Sequence, residues 1–268
     1  MKKLIHIVSS LNVGGAEKFV KNLSTEQFYQ RVPVEVVSFG KHNDSFQHPL
    51  ELAGVKVTNL NGGLFSRLIQ LIKIFITVDI IHIHSPAVIR AIFPIFLSWF
   101  YLNRIVAVSE SAKQSVGRRY NWDSNSVDVI KNGVNVVNQS IKADISKKIR
   151  LGIVSRLIPL KNIPLLFSAI SLMPLSLSSR INLHVFGDGP SQQEISNKAK
   201  QLGSAVEVNF YGNVIEENDI YPKFDILVMC SNTEGLPMSI LEAMGYGIPV
   251  ISTDVGAISQ VVVEQKTG

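Results

Sequence analysis

Short runs of apolar, often β-branched residues alternate along this chain with longer stretches in which apolar residues recur every three or four positions. The short runs predict β-strands, and the longer stretches predict amphipathic helices. In the first half, strands are predicted at 3–9, 34–39, 55–58, 80–84, 104–108 and 127–130, and helices at 16–28, 64–76 and 110–119. In the second half, strands are predicted at 151–154, 181–186, 206–211, 225–229 and 249–252, and helices at 163–173, 191–201, 237–245 and 257–263.

This alternation predicts the domain organisation. Near-continuous apolar strands separated by helices are typical of parallel sheets covered on both faces. The segment 138–150 is polar and lacks periodicity, so we interpret it as a linker. We therefore predict an α/β protein of two Rossmann-like domains, residues 1–140 and 147–268.

Composition narrows the class of protein. Apolar residues make up 46% of the 268 residues and charged residues 18%, which predicts a folded globular chain rather than a disordered one. The single cysteine, Cys230, cannot form an internal disulfide and fits a reducing compartment. The apolar run 91–102 is too short to span a bilayer, and the first residues do not predict a signal peptide. We expect a cytoplasmic protein.

Charge is unevenly distributed between the two halves. Residues 1–146 contain 16 Lys and Arg against 10 Asp and Glu, whereas residues 147–268 contain 10 against 11. A basic first half predicts an anionic partner, such as phosphate groups or acidic lipid. Nucleic acid is not expected, because no run of Lys and Arg with interleaved aromatic residues occurs. Four aromatic residues at 93, 96, 99 and 100 fit contact with an anionic membrane, and a core helix is the alternative explanation for them.

The richest candidate chemistry lies around residues 234–242. In parallel sheets, ligands bind beyond the carboxyl ends of the strands, and this segment follows such a strand. Pro237 suits a first helical turn, where the free N–H groups of Met238 and Ser239 would attract an anion. Glu234 and Glu242 could hold ligand hydroxyls nearby. Alternatively, they are an ordinary surface glutamate and an ordinary helix glutamate.

A second candidate follows the strand 151–154. Arg156 and Lys161 lie on a loop that enters a helix, and this pair suits a diphosphate, although a solvated loop would also explain it. Glycine turns follow other strands at Gly187, Gly212 and Gly14–Gly15, and each could be merely a turn. The chain has neither the glycine-rich dinucleotide fingerprint after a first strand nor a P-loop, which argues against those nucleotide sites.

His82 and His84 are two apart on a predicted strand and point to one face. No cysteine and no carboxylate cluster stands beside them in the sequence, so a metal site is not expected. We interpret them as polar residues at a strand end that faces the cleft between the domains.

Taken together, these motifs resemble those of glycosyltransferase family 4, the retaining GT-B enzymes. The strongest of them is the pair Glu234-x7-Glu242, and the others fall in that family's order over essentially the whole chain. They are Gly-Gly-Ala-Glu at 14–17, Ala-Val-Ser-Glu-Ser at 107–111, Lys-Asn-Gly-Val at 131–134, Ser-Arg-Leu-x3-Lys at 155–161, Phe-Gly-Asp-Gly-Pro at 186–190 and Phe-Tyr-Gly-Asn-Val at 210–214. The resemblance implies a GT-B fold, with two Rossmann-like domains whose parallel sheets face across a cleft.

The resemblance also implies roles for individual residues. Arg156 and Lys161 would hold the donor diphosphate, Glu242 the ribose hydroxyls, and Glu234 the transferred sugar near the reacting centre. Further donor contacts are implied for Gly14, Gly15, Gly187, Gly212, Asn213, Val214, Gly235, Leu236, Met238 and Ser239. Gly14 and Gly15 would lie by the donor phosphate or the acceptor. Neither a cofactor nor a metal is implied.

The sequence departs from the family pattern at several points. Between 84 and 104, family members have a further strand that often ends in Thr-x-His, and only one apolar segment stands there in this chain. The family's final strand and C-terminal helix would lie beyond Gly268. Ala257–Gln260 and Asn135 replace the usual residues of two motifs. We therefore predict a shortened N-terminal domain and a C-terminal domain without its last strand and helix.

The expected function is transfer of a sugar, with retention, from a nucleotide-diphosphate donor to a glycan or lipid-linked acceptor in bacterial cell-surface polysaccharide synthesis. The protein would act in the cytoplasm or at the inner face of the membrane. Two alternatives are an inactive or truncated nucleotide-sugar-binding relative and a GT-B nucleotide-sugar epimerase.

Overall fold

The computed structural model describes residues 3–84, 105–107, 110, 113–114, 125, 127–137, 148–203 and 206–268. Its contacts divide the chain into two compact units, Met1–Leu102 and Asn103–Gly268. The described residues between 105 and 137, which the sequence analysis assigns to the first domain, group with the second unit. One reason is that the backbone N–H of Val137 donates to the carbonyl of Gly245 over 2.9 Å. The predicted helix 110–119 and the apolar segment 91–102 lie largely or wholly outside the described residues.

The first unit is built on a parallel sheet of four strands in the order β3-β2-β1-β4. Its strands are β1 (Leu4–Val8), β2 (Val34–Ser38), β3 (Lys56–Asn59) and β4 (Ile80–Ile83). Its helices are α1 (Gly15–Tyr29), α2 (Gln47–Leu52) and α3 (Leu64–Phe75). Each was predicted from the sequence to within two residues at either end, except α2. That helix is only six residues long and has no apolar repeat to reveal it.

The central strand β1 is buried on both faces. Ile5 and Ile7 are fully buried and pack with Leu71 and Phe75 of α3. His6, between them, points to the opposite face of the sheet, since successive strand residues alternate. There its ring contacts Gln27 of α1, so α1 covers that second face.

The second unit is built on a parallel sheet of five strands in the order β11-β10-β7-β8-β9, with a separate parallel pair of strands, β5 and β6. The strands are β5 (Ile105–Ala107), β6 (Val127–Val129), β7 (Ile149–Val154), β8 (Ile181–Phe186), β9 (Glu207–Gly212), β10 (Ile226–Met229) and β11 (Val250–Ser252). The helices are α4 (Ile163–Ser171), α5 (Leu175–Ser178), α6 (Gln192–Lys200) and α7 (Met238–Gly245).

Helices cover both faces of the five-stranded sheet. One core cluster joins Leu183 and Val185 of β8 to Phe167 of α4. The other joins Leu227 of β10 to Ile240 of α7. This layering is the doubly covered parallel sheet that the apolar strands predicted.

One predicted helix of the second unit is wrong. The segment 257–263 contains only a short 3-10 turn, Ile258–Gln260. The preceding Gly256 has a φ of +66°, and the Ala257 N–H donates to the carbonyl of Gly235 instead of starting a helix. The apolar residues of this segment mark buried packing positions of a loop rather than a helical face.

Among the described residues, no helix has the length and apolar character needed to cross a membrane.

Candidate functional site

Two loops at the carboxyl ends of neighbouring strands bring opposite charges together. Lys161 follows β7 and Glu234 follows β10, and the Lys161 ammonium donates a hydrogen bond to Glu234 Oε1. The Ser231 hydroxyl donates to the same oxygen over 2.6 Å, and Ser231 is itself held through its carbonyl, which accepts from Thr253 Oγ1 over 2.7 Å. The two charged side chains are only 17% and 11% exposed. This geometry fixes the Glu234 carboxylate beside a cation.

One backbone and one side-chain hydrogen bond hold the same two loops side by side. The Asn232 N–H donates to the carbonyl of Leu160 over 2.9 Å, and the Asn162 amide donates to the Asn232 side chain over 3.1 Å. Asn162 has a left-handed conformation, with φ 45° and ψ 38°, and it separates the 3-10 turn Pro159–Lys161 from α4. Asparagine tolerates this conformation better than most residues do. The position of Lys161 is therefore set by the backbone.

Arg156 lies in the same loop as Lys161, and its side chain is exposed. Its neighbour Leu157 donates its N–H to the carbonyl of Asp188 over 2.9 Å, so this loop lies against the one that follows β8. No hydrogen bond or ion pair joins the Arg156 side chain to another described residue, although its backbone carbonyl accepts from the Ile158 N–H over 3.0 Å. The structure places it at the correct end of the sheet but not in the Lys161–Glu234 pair.

The predicted glycine turns bring the next loops close to this one. Gly187 has a φ of +124°, and a Cβ there would lie 1.9 Å from the carbonyl oxygen of Ser155. Its N–H donates to the carbonyl of Gly212, over 2.7 Å, at the end of β9. Asn213 is exposed and Val214 half-buried just beyond it. These glycines allow the loops after β7, β8 and β9 to meet at one end of the sheet.

The helix α7 presents its N-terminus at this same end. It begins at Met238, and Pro237 precedes it with φ −66° and ψ 128°. Pro237 therefore lies one position before the first turn, in which it was predicted. The N–H groups of Met238 and Ser239 belong to the first turn, which lacks intrahelical partners. Leu236 and Met238 bury their side chains, so only their backbone atoms could contact a ligand. A Cβ on Gly235 would contact nothing within 4 Å.

Glu242 is buried within α7, with 4% of its surface exposed. Its Oε2 accepts a hydrogen bond from the hydroxyl of Tyr221, which is itself fully buried. Burial raises the pKa of Tyr221 well above its ordinary value, and the negative charge of Glu242 raises it further, so this hydroxyl stays protonated and donates. Sequence reasoning missed Tyr221, because no local pattern connects it with a residue 21 positions later.

The backbone of Glu234 is held from the other side by the loop after β11. A Cβ on Gly256 would lie 2.0 Å from the carbonyl oxygen of Glu234. The whole arrangement is a set of strand-end loops around a helix N-terminus, with one cation and two carboxylates held in place. Such a site can bind an anion and orient hydroxyl groups.

Residues 138–268 match the model of the family described as glycosyl transferases group 1. The chain is a glycosyltransferase whose C-terminal half carries the group 1 domain. The described site residues from Arg156 to Ser239 and Glu242 all lie within this group 1 domain.

Relatives of this glycosyltransferase are found in bacterial glycan synthesis. The chain is 23% identical over 295 residues to the O-antigen biosynthesis glycosyltransferase WbnH of Escherichia coli, a match that covers 98% of this chain and 84% of that one. Over 93 residues, 35% of this chain and 25% of the relative, it is 32% identical to an α-1,4-N-acetyl-D-galactosaminyltransferase of Campylobacter jejuni. That enzyme is named for a diphospho-undecaprenol-linked glycan.

Solved structures confirm the predicted GT-B fold of the glycosyltransferase. Anabaena Alr3699/HepE in complex with UDP-glucose superposes with a TM-score of 0.79 at 18% identity, covering 98% of this chain and 84% of that chain. Staphylococcus aureus TarM, in a mutant form in complex with UDP and other ligands, superposes with a TM-score of 0.77 at 14% identity, covering 100% and 89%. At such identities, the likeness concerns the fold alone.

The first unit of the glycosyltransferase contains the predicted pair Gly14 and Gly15. Gly14 caps the N-terminus of α1, and its carbonyl accepts from the N–H of Lys18 over 2.9 Å. Gly15 is the first residue of the helix. The two glycines thus lie at a helix N-terminus that follows β1.

The first unit also contains three histidines in contact. His6 Nδ1 and His84 Nε2 are 2.8 Å apart, and His6 Nε2 lies 2.7 Å from Gln27 Oε1. Burial lowers the pKa of His6 to about 4, despite the bond to Gln27, and burial with the charges of His6 and His82 lowers the pKa of His84 to about 3. Sequence reasoning paired His82 with His84 but missed His6. The register of β1 against β4, which pairs His6 with His82, supplies the third ring.

Proposed function

We propose that this glycosyltransferase belongs to family 4 and transfers a sugar, with retention, from a nucleotide-diphosphate donor to a glycan or lipid-linked acceptor in bacterial cell-surface polysaccharide synthesis. One observation carries the proposal: the Lys161–Glu234 pair stands at the strand ends beside the N-terminus of α7. The complexes of HepE and TarM with UDP make UDP the first nucleotide to test. The Campylobacter relative supports a lipid-linked acceptor.

The donor diphosphate is bound by positive charge from two sources. Lys161 and Arg156 supply full charges, and the N–H groups of Met238 and Ser239 supply the positive end of the α7 dipole. The Arg156 side chain is exposed and makes no hydrogen bond or ion pair among the described residues, so it is available to bind a phosphate. Lys161 is already aligned by Glu234 and needs little further ordering.

The two glutamates divide the rest of the donor between them. Glu234 accepts hydrogen bonds from hydroxyls of the transferred sugar, since the hydrogen bonds from Lys161 and Ser231 orient its carboxylate. Glu242 binds the ribose hydroxyls through its carboxylate, which Tyr221 holds in position. The remaining donor contacts come from backbone near Gly187, Gly212, Asn213, Val214, Gly235 and Leu236. Gly14 and Gly15 contact the donor phosphate or the acceptor.

In the transfer step, the acceptor hydroxyl attacks the anomeric carbon on the face from which the diphosphate leaves. A departing phosphate oxygen takes the hydroxyl proton, and the bond between the anomeric carbon and the diphosphate breaks as the new glycosidic bond forms. Negative charge grows on the diphosphate, and Lys161, Arg156 and the α7 N-terminus stabilise it. These charges allow the step to proceed without a metal or other cofactor.

The shortened N-terminal domain is part of the same proposal. The family's additional strand would fall within 85–104, outside the described residues, and the pair Glu234-x7-Glu242 is the feature that supports family 4. The match covers 84% of the Escherichia coli relative. A structure-based comparison of the two N-terminal domains would show whether this chain has the additional strand.

The acceptor side of the proposal includes an anionic membrane at the inner, cytoplasmic face. The aromatic residues 93–100 lie outside the described residues, but α3 supplies independent support. Phe65, Ile69, Ile72 and Ile76 repeat at helical spacing and are 75%, 40%, 41% and 70% exposed. The basic residues Arg67 and Lys73 lie on the same helix. An apolar stripe with basic residues beside it is typical of helices that lie in a membrane interface.

A transfer assay tests the function. The purified chain is incubated with UDP-hexoses or UDP-N-acetylhexosamines and a diphospho-undecaprenol-linked glycan, and products are followed by mass spectrometry and NMR. We expect a longer glycan with the anomeric configuration of the donor. Glu234→Gln should lower kcat/KM roughly 10²-fold. The matched control is Glu194→Gln, which removes an exposed helix carboxylate and should leave the rate unchanged.

Other outcomes of this assay would overturn the proposal. Epimerised free donor without any acceptor would identify an epimerase instead. Binding of UDP without turnover of any donor would identify an inactive relative. An inverted product would contradict retention and family 4 while leaving the donor site intact.

Vesicle sedimentation tests the membrane partner. We expect co-sedimentation with anionic vesicles at low salt, lost in the double variant Phe65→Ser/Ile69→Ser. Leu172→Ser, which replaces an 87% exposed leucine of the second unit, is the control and should sediment like the wild type. If the double variant sediments as well as Leu172→Ser does, α3 does not contact the membrane.

A further inference from the structure

His6, His82 and His84 are assembled inside the layers of the first unit. His6 is fully buried in β1, His82 is its register partner in β4, and His84 follows directly after β4. Helix α1 covers this face of the sheet through Phe19, whose ring centre is 5.9 Å from that of His84, and through Gln27. Secondary-structure elements therefore hold the three imidazoles in place.

The ligating nitrogens of the three rings converge on a small volume. One nitrogen from each ring lies within 4.8 Å of the other two, and His6 Nδ1 and His84 Nε2 are 2.8 Å apart. In a tetrahedral site with metal–nitrogen bonds of about 2.0–2.1 Å, the ligand nitrogens would be about 3.4 Å apart. That value lies between the 2.8 Å separation of His6 Nδ1 and His84 Nε2 and the 4.8 Å limit for all three nitrogens, so a modest adjustment of the rings would bring them to binding distances.

Gln27 already makes the outer contact that a metal-binding histidine uses. Its Oε1 can only accept, so His6 must donate through Nε2–H, and the lone pair of His6 Nδ1 then points toward His84. Histidines that bind metals regularly donate their second N–H to a carbonyl or carboxylate oxygen, which fixes the ring. The His82 ring has no hydrogen-bond partner within the described part of the chain, and a metal could coordinate one of its nitrogens.

We propose that His6, His82 and His84 bind one zinc-type divalent ion within the first unit. Three neutral imidazole nitrogens are borderline ligands that suit Zn²⁺, Co²⁺, Ni²⁺ or Cu²⁺ and do not suit Mg²⁺ or Ca²⁺. The fourth position is open to water. The ion links β1 to β4 and stabilises the sheet. The site goes beyond the proposed transfer reaction, which uses no metal.

Metal titration of the untagged, chelator-treated chain tests this site, with zinc chloride as the ligand and cobalt(II) chloride as a coloured probe. We expect one Zn²⁺ per chain by calorimetry and visible Co²⁺ absorption bands of a four-coordinate nitrogen site, which Zn²⁺ removes. In NMR spectra of the wild type, three of the six imidazoles should shift with Zn²⁺. Zinc should also raise the temperature of unfolding.

Variants assign the ligands. His82→Gln should weaken Zn²⁺ binding at least about tenfold, and Gln27→Met should weaken it about 10–100-fold through the loss of the outer contact. His48→Gln removes an exposed histidine outside the cluster and should bind Zn²⁺ like the wild type. The wild-type spectra remain decisive if a variant fails to fold.

Three results would overturn the site. A folded wild type that binds no Zn²⁺ would leave the cluster as a hydrogen-bonded group of histidines. Shifts confined to His42, His48 or His184 would place the ion elsewhere. Equal affinity of His82→Gln and His48→Gln would exclude His82 as a ligand. None of these results bears on sugar transfer, which the donor and acceptor assay tests separately.

Discussion

The Lys161 ammonium group is hydrogen-bonded to the Glu234 carboxylate, although 73 residues separate the two in the chain. The pair forms because β7 and β10 are adjacent parallel strands whose carboxyl ends meet at one edge of the sheet. Because the Lys161–Glu234 pair is largely buried, removing one partner leaves the other charge incompletely solvated.

Lys161→Met should therefore lower the free energy of unfolding by about 1–3 kcal/mol, because it leaves the Glu234 carboxylate largely buried without its cation. Urea unfolding measures this. The control is Lys198→Met, which breaks the exposed pair with Glu194 and should cost no more than about 0.5 kcal/mol. Equal losses in both variants would show that the Lys161–Glu234 contact contributes no more than a surface pair.

Tyr221→Phe removes the buried hydroxyl that donates to Glu242. We expect a loss of about 1–3 kcal/mol in stability, because a buried carboxylate loses a hydrogen bond that water cannot replace. We also expect a smaller thermal shift with UDP, because the proposed ribose contact loses its support. Tyr211→Phe is the control, since among the described residues its hydroxyl bonds only to His184, in a more exposed setting. If the UDP-induced thermal shift of Tyr211→Phe falls by the same amount, the effect does not come from Glu242.

Gly187→Ala tests the contact between the loops after β7 and β8. We expect a loss of more than about 3 kcal/mol, since the added Cβ meets the Ser155 carbonyl oxygen in addition to the backbone strain. Gly203→Ala also has a positive φ, +74°, but nothing lies within 4 Å of the Cβ, and it should cost only about 1–2 kcal/mol. Thermal unfolding of the two variants separates steric contact from backbone strain, and equal costs would leave strain as the only cause.

Stability should depend on pH through Asp225. Burial alone would raise the pKa of Asp225, but hydrogen bonds from the side chain and backbone of Arg150, with its charge, lower it below the ordinary 3.8. The folded state thus binds its proton less readily than the unfolded state does. The stabilisation is present above the unfolded pKa and is lost as the pH falls through the folded pKa.

Urea unfolding between about pH 5 and pH 3 should accordingly show decreasing stability, with a shallower decrease in Asp225→Asn. The difference should be about 1 kcal/mol, because the Arg150 side chain is 36% exposed and solvent screens the pair. The pKa of Glu35 is also lowered, so part of the dependence of stability on pH should remain in the variant. Parallel curves for both proteins would rule out the proposed contribution of Asp225.

The sequence by itself determined the elements and the type of site. Apolar periodicity located β8 at both ends and most other strands and helices within one or two residues, because each buried face needs an uninterrupted local pattern. It missed the short helices α2 and α5 and wrongly predicted a helix at 257–263, because the local pattern in these segments carries too little information. The motif around Glu234 and Glu242 indicated a sugar-nucleotide enzyme, and the group 1 domain confirmed a glycosyltransferase.

Only the tertiary structure decided which side chains meet. No local sequence pattern determines the order of strands in a sheet. Neither the Lys161–Glu234 pair nor the contact of Tyr221 with Glu242 could therefore be predicted from spacing. His6 shows the same limit: within β1 it is one polar residue among apolar ones. It becomes part of a three-histidine cluster because β1 and β4, 76 residues apart, pair in parallel with His6 opposite His82.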